Sequence, residues 1–411
     1  MSLEKIYDAI HGFIHFNEWE RELIDSRLFQ RLHYLHQLGI CYLVYPGATH
    51  TRFGHSLGTM ELASRIFNQI TKKADYQEPD KEYWRQLVRF AALCHDLGHL
   101  PFSHVAEKRL LSKKGHEYWT LKIIQSNELA PLWQKMEKRF QTGRVLSDLL
   151  KLSLGEEKSH ELGLGLSFNA WERVFSQIVS GDFVGADRID YLLRDAKSTG
   201  LSYGLFDYSQ LIEMLCVVNS EKIGIEENGL ESCEALLLAR HYMYRRLYQY
   251  PPVKAYSFHL ARLMQHLYQS PHYFQDLNGY LSMSEAEVLL HVHQAAEEPS
   301  HPHYLDASCI SSRKKRFKAI AIPNMMPEIE LQEFKKNYSI PDHYMEWEPS
   351  HKKPNSGLSL SVLRKNGHVV PATELSEITI PSSTQRFVYI APEYAQTFVQ
   401  SLSLEKIPAK L

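Results

Sequence analysis

Leu87-Val88-Arg89-Phe90-Ala91-Ala92-Leu93-Cys94-His95-Asp96-Leu97-Gly98-His99 is the stretch on which the fold turns. Its first eight residues are apolar except for Arg89, which predicts a buried helix. Gly98 stops that helix and turns the chain, so that His99 faces the space entered by His95 and Asp96. An imidazole beside a carboxylate at the mouth of a buried helix offers one nitrogen and one oxygen to a single cation. A bare His-Asp pair is more often a surface dyad, or a core histidine oriented by its neighbour. The weight therefore falls on what lies around it.

Upstream, Arg52-Phe53-Gly54-His55-Ser56 sets a second imidazole at the start of a helix marked by Ala63, Ile66, Phe67 and Ile70. Downstream, Gly185-Ala186-Asp187-Arg188-Ile189-Asp190-Tyr191 supplies a second carboxylate. His55, His95, Asp96 and Asp187 thus form a mixed nitrogen and oxygen set suited to a divalent ion of intermediate hardness. Mg, Mn, Fe, Ni and Zn are all compatible with it. Two stripes accompany this set at i, i+4, i+8 spacing: Asp187, Tyr191 and Asp195 on one helix, and Arg240, Tyr244 and Tyr248 on another. Core stripes are normally aliphatic. These carry acid, phenol and guanidinium, which leaves a solvated face or a binding face.

Helical periodicity runs to roughly residue 295, with helices predicted over 22–37, 116–127, 170–180, 184–197, 207–217, 231–248 and 253–270. Ser284-Glu285-Ala286-Glu287 reads as a capping box opening one more. The Gly-, Ser-, Glu- and Lys-rich stretch within 140–167 reads as a surface excursion. The texture changes at Glu298-Pro299-Ser300-His301-Pro302, and β-like runs follow at 317–322, 358–363 and 387–390. The expected architecture is mainly α, a helical domain over 1–300 with a smaller α+β region over 306–411. The run Arg313-Lys314-Lys315-Arg316-Phe317-Lys318 is basic, but such runs are usually solvated faces.

A net charge of −2 provides no overall field to draw the chain onto nucleic acid or an anionic membrane. No apolar run reaches the ~20 residues a membrane helix needs, and Met1 to Phe13 has no basic-then-apolar leader. Five cysteines without a C-x-x-C pair exclude a disulfide framework and a thiolate zinc site, and fit a cytoplasmic protein.

The ordered motifs narrow the reading further. Gln37-Leu38-Gly39, Tyr45-Pro46-Gly47-Ala48, Thr51 to Gly58, and His95 to His104 resemble one branch of the HD superfamily of metal phosphohydrolases. That branch is the deoxynucleoside triphosphate triphosphohydrolases, including the animal members that carry a sterile-alpha-motif domain. The resemblance runs from about Asp8 to His266; no such domain is expected ahead of it. It implies metal ligation by His55, His95, Asp96 and Asp187, and phosphate contact or proton transfer by His99, His104 and His116. The family's aspartate three residues after the His104 position is Glu107 here, which keeps the charge and changes the reach. For His116, capping the helix that begins near Glu117 is an equal reading.

By the same resemblance, Tyr191 and Asp195 meet the sugar, with Tyr244 and Tyr248 on the second stripe. Arg52, Arg188 and Arg240 meet phosphates, where a guanidinium fork suits bidentate contact. Gln37 and Leu38 lie under the sugar's 2′ and 3′ carbons, where a close fit rejects a ribose hydroxyl. The implied reaction is attack of metal-activated water at the α-phosphorus of a deoxynucleoside triphosphate, releasing deoxynucleoside and triphosphate. A homo-oligomer, dimer or tetramer, is also implied. In animal members a guanine nucleotide at a subunit interface drives assembly; Asp25, Gln30 and Arg31 match that region as possible allosteric contacts. Two arginines expected nearby are His33 and Gln210, and an expected asparagine is Tyr7. The alternatives are an HD phosphodiesterase or nucleotidase acting on another nucleotide, and a catalytically silent nucleotide- or nucleic-acid-binding relative. Three candidate phosphate-binding arginines and four competent ligand positions weigh against both.

Overall fold

The structure, a computed structural model, describes residues 4–74, 76, 80–111, 115–181, 183–314, 316–324, 326–348, 360–378 and 385–404. The chain forms two compact units that interleave in sequence. Residues 1–243, 270–285 and 357–378 make the first, and 244–269, 286–356 and 379–411 the second. The architecture is mainly helical with small sheets.

In the first unit the helices Arg52–Lys73 and Lys81–Cys94 pack along one another. Leu57, Met60, Ile66 and Phe67 of one and Leu87, Phe90, Leu93 and Cys94 of the other are buried. Each such Leu or Phe contributes roughly 1.5–3 kcal/mol through burial. Arg89, the polar exception in the apolar stretch, is held by Glu20: its Nε donates to Oε1 at 2.6 Å and its Nη2 to Oε2 at 2.8 Å. A fork matched to a carboxylate lets a charged residue sit in this core.

Helix Ala186–Thr199 lies against Arg52–Lys73. Gly58 permits that approach: a Cβ there would stand 1.9 Å from Asp190 Oδ1 and 2.5 Å from an Arg194 guanidinium nitrogen. The first unit also holds an N-terminal hairpin, Glu4–Asp8 with Gly12–Phe16. Its other sheet has the order Leu215–Val218, Lys222–Glu226, Ser361–Leu363, Val369–Pro371.

Several expected elements differ. The 140–167 stretch is not a surface excursion: helix Val145–Glu161 packs on Lys81–Cys94 and Ala170–Ser180, burying Val145, Leu149, Leu150 and Leu152. Gly155, at φ +74°, kinks it and had masked the leucines in the composition. The predicted 22–37 helix breaks at Asp25, because the Ser26 hydroxyl accepts the Phe29 N–H and opens a new turn over Arg27–Gln30. The 207–217 helix stops at Met214, and Leu215–Val218 becomes a strand paired with Lys222–Glu226. The 231–248 helix is α-helical over Leu230–Met243 and widens to a π-turn over Tyr244–Tyr248.

In the second unit helix Pro251–Leu267 packs on Tyr304–Ser311. The sheet there has Arg386–Ile390 between Lys318–Ile322 and Met345–Trp347, both antiparallel to it. Ile322, Leu331, Phe334, Val388, Ile390 and Phe398 form its core. The basic run is not a uniform solvated face. Arg316 pairs with Glu393 at 2.7 Å and lies 4.1 Å over the Tyr344 ring, and Phe317 is buried against His259. Lys315, and residues 358–359 of the β-like run expected at 358–363, lie outside the described residues.

Candidate metal centre and active site

Three elements of the first unit bring the expected ligands together. His55 comes from the first turn of Arg52–Lys73, His95 and Asp96 follow the end of Lys81–Cys94, and Asp187 comes from the first turn of Ala186–Thr199. One atom each of His55, His95 and Asp187 lies within 4.8 Å of the other two. His55 Nε2 is 3.0 Å from Asp187 Oδ1 and 3.3 Å from His95 Nε2. Asp96 stands beside this group, its Oδ1 3.4 Å from His95 Nε2 and its Oδ2 3.6 Å from His55 Nε2. His55, His95 and Asp96 are almost fully shielded, whereas the Asp187 side chain is 32% exposed and marks the open side.

Both imidazoles are oriented from behind. His95 Nδ1 donates to the Ala92 carbonyl at 2.7 Å, and His55 Nδ1 donates to Asp190 Oδ2 at 2.8 Å. Their Nε2 atoms are thereby turned toward Asp187, the arrangement that fixes a histidine for metal ligation. Asp190 is itself held by Arg194 at 2.8 and 3.0 Å and by His11 at 2.7 Å, and Arg194 also reaches Asp8. Sequence reading had passed over Asp190, His11, Asp8 and Arg194. The i, i+3, i+7 spacing of Asp187, Asp190 and Arg194 was the available signal.

Burial by itself would lower the His55 pKa, but hydrogen bonds to Asp187 and Asp190 and the charges of Asp190 and Asp96 push it up to about 10. The carboxylates hold a proton where a cation would satisfy them, so the donor set fits a divalent ion. Against its own burial, Asp96 is kept well below the usual carboxylate range, first by the charge of Arg52 and then by that of His95. Arg52 binds it directly through Nη1 and donates from Nε to Ser103 Oγ at 2.8 Å.

A second cluster adjoins through Asp96, whose Oδ1 is 3.2 Å from His99 Nε2. His99 stacks on His116, ring centroids 3.7 Å apart, and meets His104 edge-on at 4.7 Å. Glu107 spans the pair: His104 Nδ1 is 2.5 Å from Oε2 and His116 Nδ1 2.7 Å from Oε1. Glutamate's extra methylene therefore serves both rings. His116 also sits in the first turn of Gly115–Ile124 and donates its backbone N–H to Glu107, so it is tied to the helix start as well. Burial, then the charge of Arg52, lowers the His99 pKa well below its ordinary value and keeps that ring neutral. His104 is 66% exposed.

The turn carrying this cluster is strained. Phe102 and Ser103 have φ of +55° and +57°, and such conformations cost of order 1–3 kcal/mol each in side-chain-bearing residues. Glu285 clamps the turn, its Oε1 accepting the backbone N–H of both Phe102 and His36 at 2.8 Å.

Of the substrate candidates, Gln37 and Leu38 lie half-buried in the loop before the Arg52–Lys73 helix, and Gln37 Oε1 is buried with no hydrogen-bond partner among the described residues. Arg188 Nε is in the same state, while its Nη1 reaches the Gly181 carbonyl at 3.4 Å. Tyr191 and Asp195 share the Asp187 helix, with Asp195 Oδ1 2.7 Å from His50 Nε2. Arg240 belongs to the first unit, and Tyr244 and Tyr248 to the second, where their rings meet edge-on at 5.2 Å. Of the allosteric candidates, Asp25 is exposed, the Gln30 amide donates to the Ile24 carbonyl at 2.8 Å, and the Arg31 guanidinium lies 5.9 Å over the Tyr280 ring.

The five cysteines are unpaired and buried, and no helix among the described residues is long and apolar enough to cross a membrane. An HD-domain family model matches residues 52–161, the segment that carries His55, His95 and Asp96. An uncharacterized protein of Methanocaldococcus jannaschii, MJ1154, is 38% identical over 61% of this chain and 47% of its own length. The deoxynucleoside triphosphate triphosphohydrolase SAMHD1 of Gallus gallus is 30% identical over 59% of this chain and 42% of its own. The chain thus spans less than half the length of either of these relatives. A solved structure of a hypothetical protein from Aquifex aeolicus matches 98% of this chain and 100% of that one, at 30% identity and a TM-score of 0.77. With its ligand set assembled and these matches in hand, the chain carries an HD domain over residues 52–161 and is similar to the deoxynucleoside triphosphate triphosphohydrolases.

Proposed function

We propose that the protein is a divalent-metal-dependent phosphohydrolase that converts deoxynucleoside triphosphates to deoxynucleoside and inorganic triphosphate. The observation that carries this reading is the continuity of the two clusters through Asp96, which adjoins His55 and His95 on one side and His99 on the other. His55, His95, Asp96 and Asp187 would hold the ion, which when bound lowers the pKa of a water and polarises a phosphoryl oxygen.

The rest is the work of the chain itself. Exposed His104, hydrogen-bonded through Nδ1 to Glu107, presents its other nitrogen outward and protonates the leaving 5′ oxygen. Glu107 stays ionised: against its burial, the hydrogen bonds from His104 and His116 hold its carboxyl far below the usual range. Arg52, Arg188 and Arg240 carry the charge to offset a triphosphate, more than a monophosphate requires. Arg188 Nε and Gln37 Oε1 lack partners that a phosphate oxygen and a sugar hydroxyl would supply. Oligomeric assembly and a cytoplasmic location belong to the same reading.

Incubating the metal-loaded protein with each dNTP and NTP, then separating the products, tests it. Triphosphate and deoxynucleoside from dNTPs alone are the expected products, with solvent oxygen-18 in the triphosphate. Orthophosphate or pyrophosphate as first product, or equal turnover of NTPs, would replace it with another HD phosphohydrolase activity.

A further inference from the structure

The second unit carries a histidine cluster that no part of this chemistry uses. His266 lies in the last turn of Pro251–Leu267, His291 in the middle of Glu285–Glu297, and His301 in the turn that follows. One ring nitrogen of each lies within 4.8 Å of the other two. The His266 and His291 rings face each other at 5.7 Å, and His301 stands edge-on to both at 5.4 Å. His303 is close by, its ring centroid 5.0 Å from that of His266.

From this arrangement we propose a second metal site, for a borderline divalent cation such as Zn2+ or Co2+, bound by His266, His291 and His301. Three half-buried imidazoles that bring ring nitrogens this close leave polar atoms to satisfy. His291 Nε2 is indeed buried with no hydrogen-bond partner among the described residues. A cation supplies what it lacks. An all-imidazole set selects Zn2+-like ions over Mg2+ or Ca2+, which demand oxygen ligands.

A tetrahedral ion ~2.1 Å from each nitrogen sets the nitrogens ~3.4 Å apart, a contraction within reach of side-chain rotation. The His303 backbone N–H donates to His301 Nδ1 at 3.1 Å, and a bound ion must displace that bond or turn the ring from it. His303 is the fourth-ligand position. Its Nδ1 is 3.2 Å from Asp306, a buried carboxylate fixed by His259 and Arg262, which is the support a ligating histidine commonly has. The ion would tie the end of Pro251–Leu267 to the middle of Glu285–Glu297 and to the turn after it.

Co2+ is the probe, read by stoichiometry and by the visible absorption of tetrahedral cobalt. The full chain is stripped with chelator and titrated in a His95→Ala/Asp96→Ala background, which disables the HD centre. One tightly held equivalent with a tetrahedral spectrum is expected, lost on adding either His266→Ala or His291→Ala. His301→Gln, in an exposed turn and thus least able to unfold the helices, should also weaken it at least tenfold. No tight cobalt in the background protein, or an equivalent that survives all three further substitutions, overturns the site.

Discussion

Asp190 grips the back of His55: its Oδ2 accepts from His55 Nδ1 at 2.8 Å, and the ring's other nitrogen is left facing Asp187 at 3.0 Å. One buried carboxylate thus decides which nitrogen the metal centre sees. Arg194 holds Asp190 from its own helix, at 2.8 Å, and so fixes the carboxylate that orients the ring. Asp190→Ala should reduce divalent-metal affinity by roughly 10–100-fold, the usual cost of losing a partner behind a ligand. It should also destabilise the fold, since Arg194 keeps only Asp8. Gly58→Ala should do the same from the other side, by pushing a methyl into the Asp190 carboxylate. Metal titration of both variants reads the effect, and unchanged affinity in both would remove Asp190 from the site.

His95→Ala and Asp96→Ala act at the ligands directly. Metal content and hydrolysis should fall together while the helical circular dichroism signal persists, because Leu87 to Cys94 is buried independently of the metal. Asp96→Ala should be the less stable of the two, because it leaves Arg52 buried beside Ser103 without its carboxylate. An Asp96→Ala protein that remained loaded and fully active would mean the ion binds elsewhere.

Proton transfer belongs to the transition state, so His104→Ala should lower kcat by roughly 10²–10⁴-fold and leave KM nearly unchanged. Glu107→Asp is the more discriminating change. The shorter side chain cannot reach both His104 Nδ1 and His116 Nδ1, which Glu107 now meets at 2.5 and 2.7 Å. Its kcat should fall by less than that of His104→Ala. Steady-state kinetics on metal-saturated enzyme check both, and an unchanged turnover number in His104→Ala would take that residue out of the mechanism.

How much of this was legible in the sequence follows from where the interactions come from. His95 and Asp96 adjoin in the chain at the end of an apolar helix, so local pattern was enough to find them. Asp190 stands in the motif Asp187-Arg188-Ile189-Asp190, yet its function depends on Gly58 and His55, more than 130 positions away, and no periodicity reports that. The same holds for Leu215–Val218, which reads as a continuation of its preceding helix until Lys222–Glu226 and Ser361–Leu363 are seen to extend the sheet. Val145–Glu161 was lost differently: glycine, serine and lysine diluted a leucine stripe that tertiary packing makes decisive.

The effector site implied by resemblance to the animal enzymes is short of positive charge in this chain. Two positions where that resemblance expects arginine hold His33 and Gln210. His33 does not replace the missing charge: it stacks on Phe53, centroids 3.5 Å apart, and the partial desolvation there lowers its pKa and disfavours the charged form. Gln210 is exposed in the first turn of Tyr208–Met214 and carries no charge at all. Tyr7, where an asparagine is expected, is 72% exposed and packs edge-on against Phe13 within the hairpin. Asp25 remains exposed and able to read a guanine edge, but base recognition alone does not hold a triphosphate. Each lost charge-assisted contact weakens effector binding by roughly 1.5–3 kcal/mol, about tenfold or more. Assembly and dNTP hydrolysis should therefore depend little on GTP, with activity either basal or raised by another nucleotide. Sedimentation and dNTP hydrolysis measured with and without GTP, at matched metal and protein concentration, decide it. A chain that is monomeric and inactive alone, yet assembles and turns over once GTP is added, would mean that the charge lost at His33 and Gln210 is supplied by other residues.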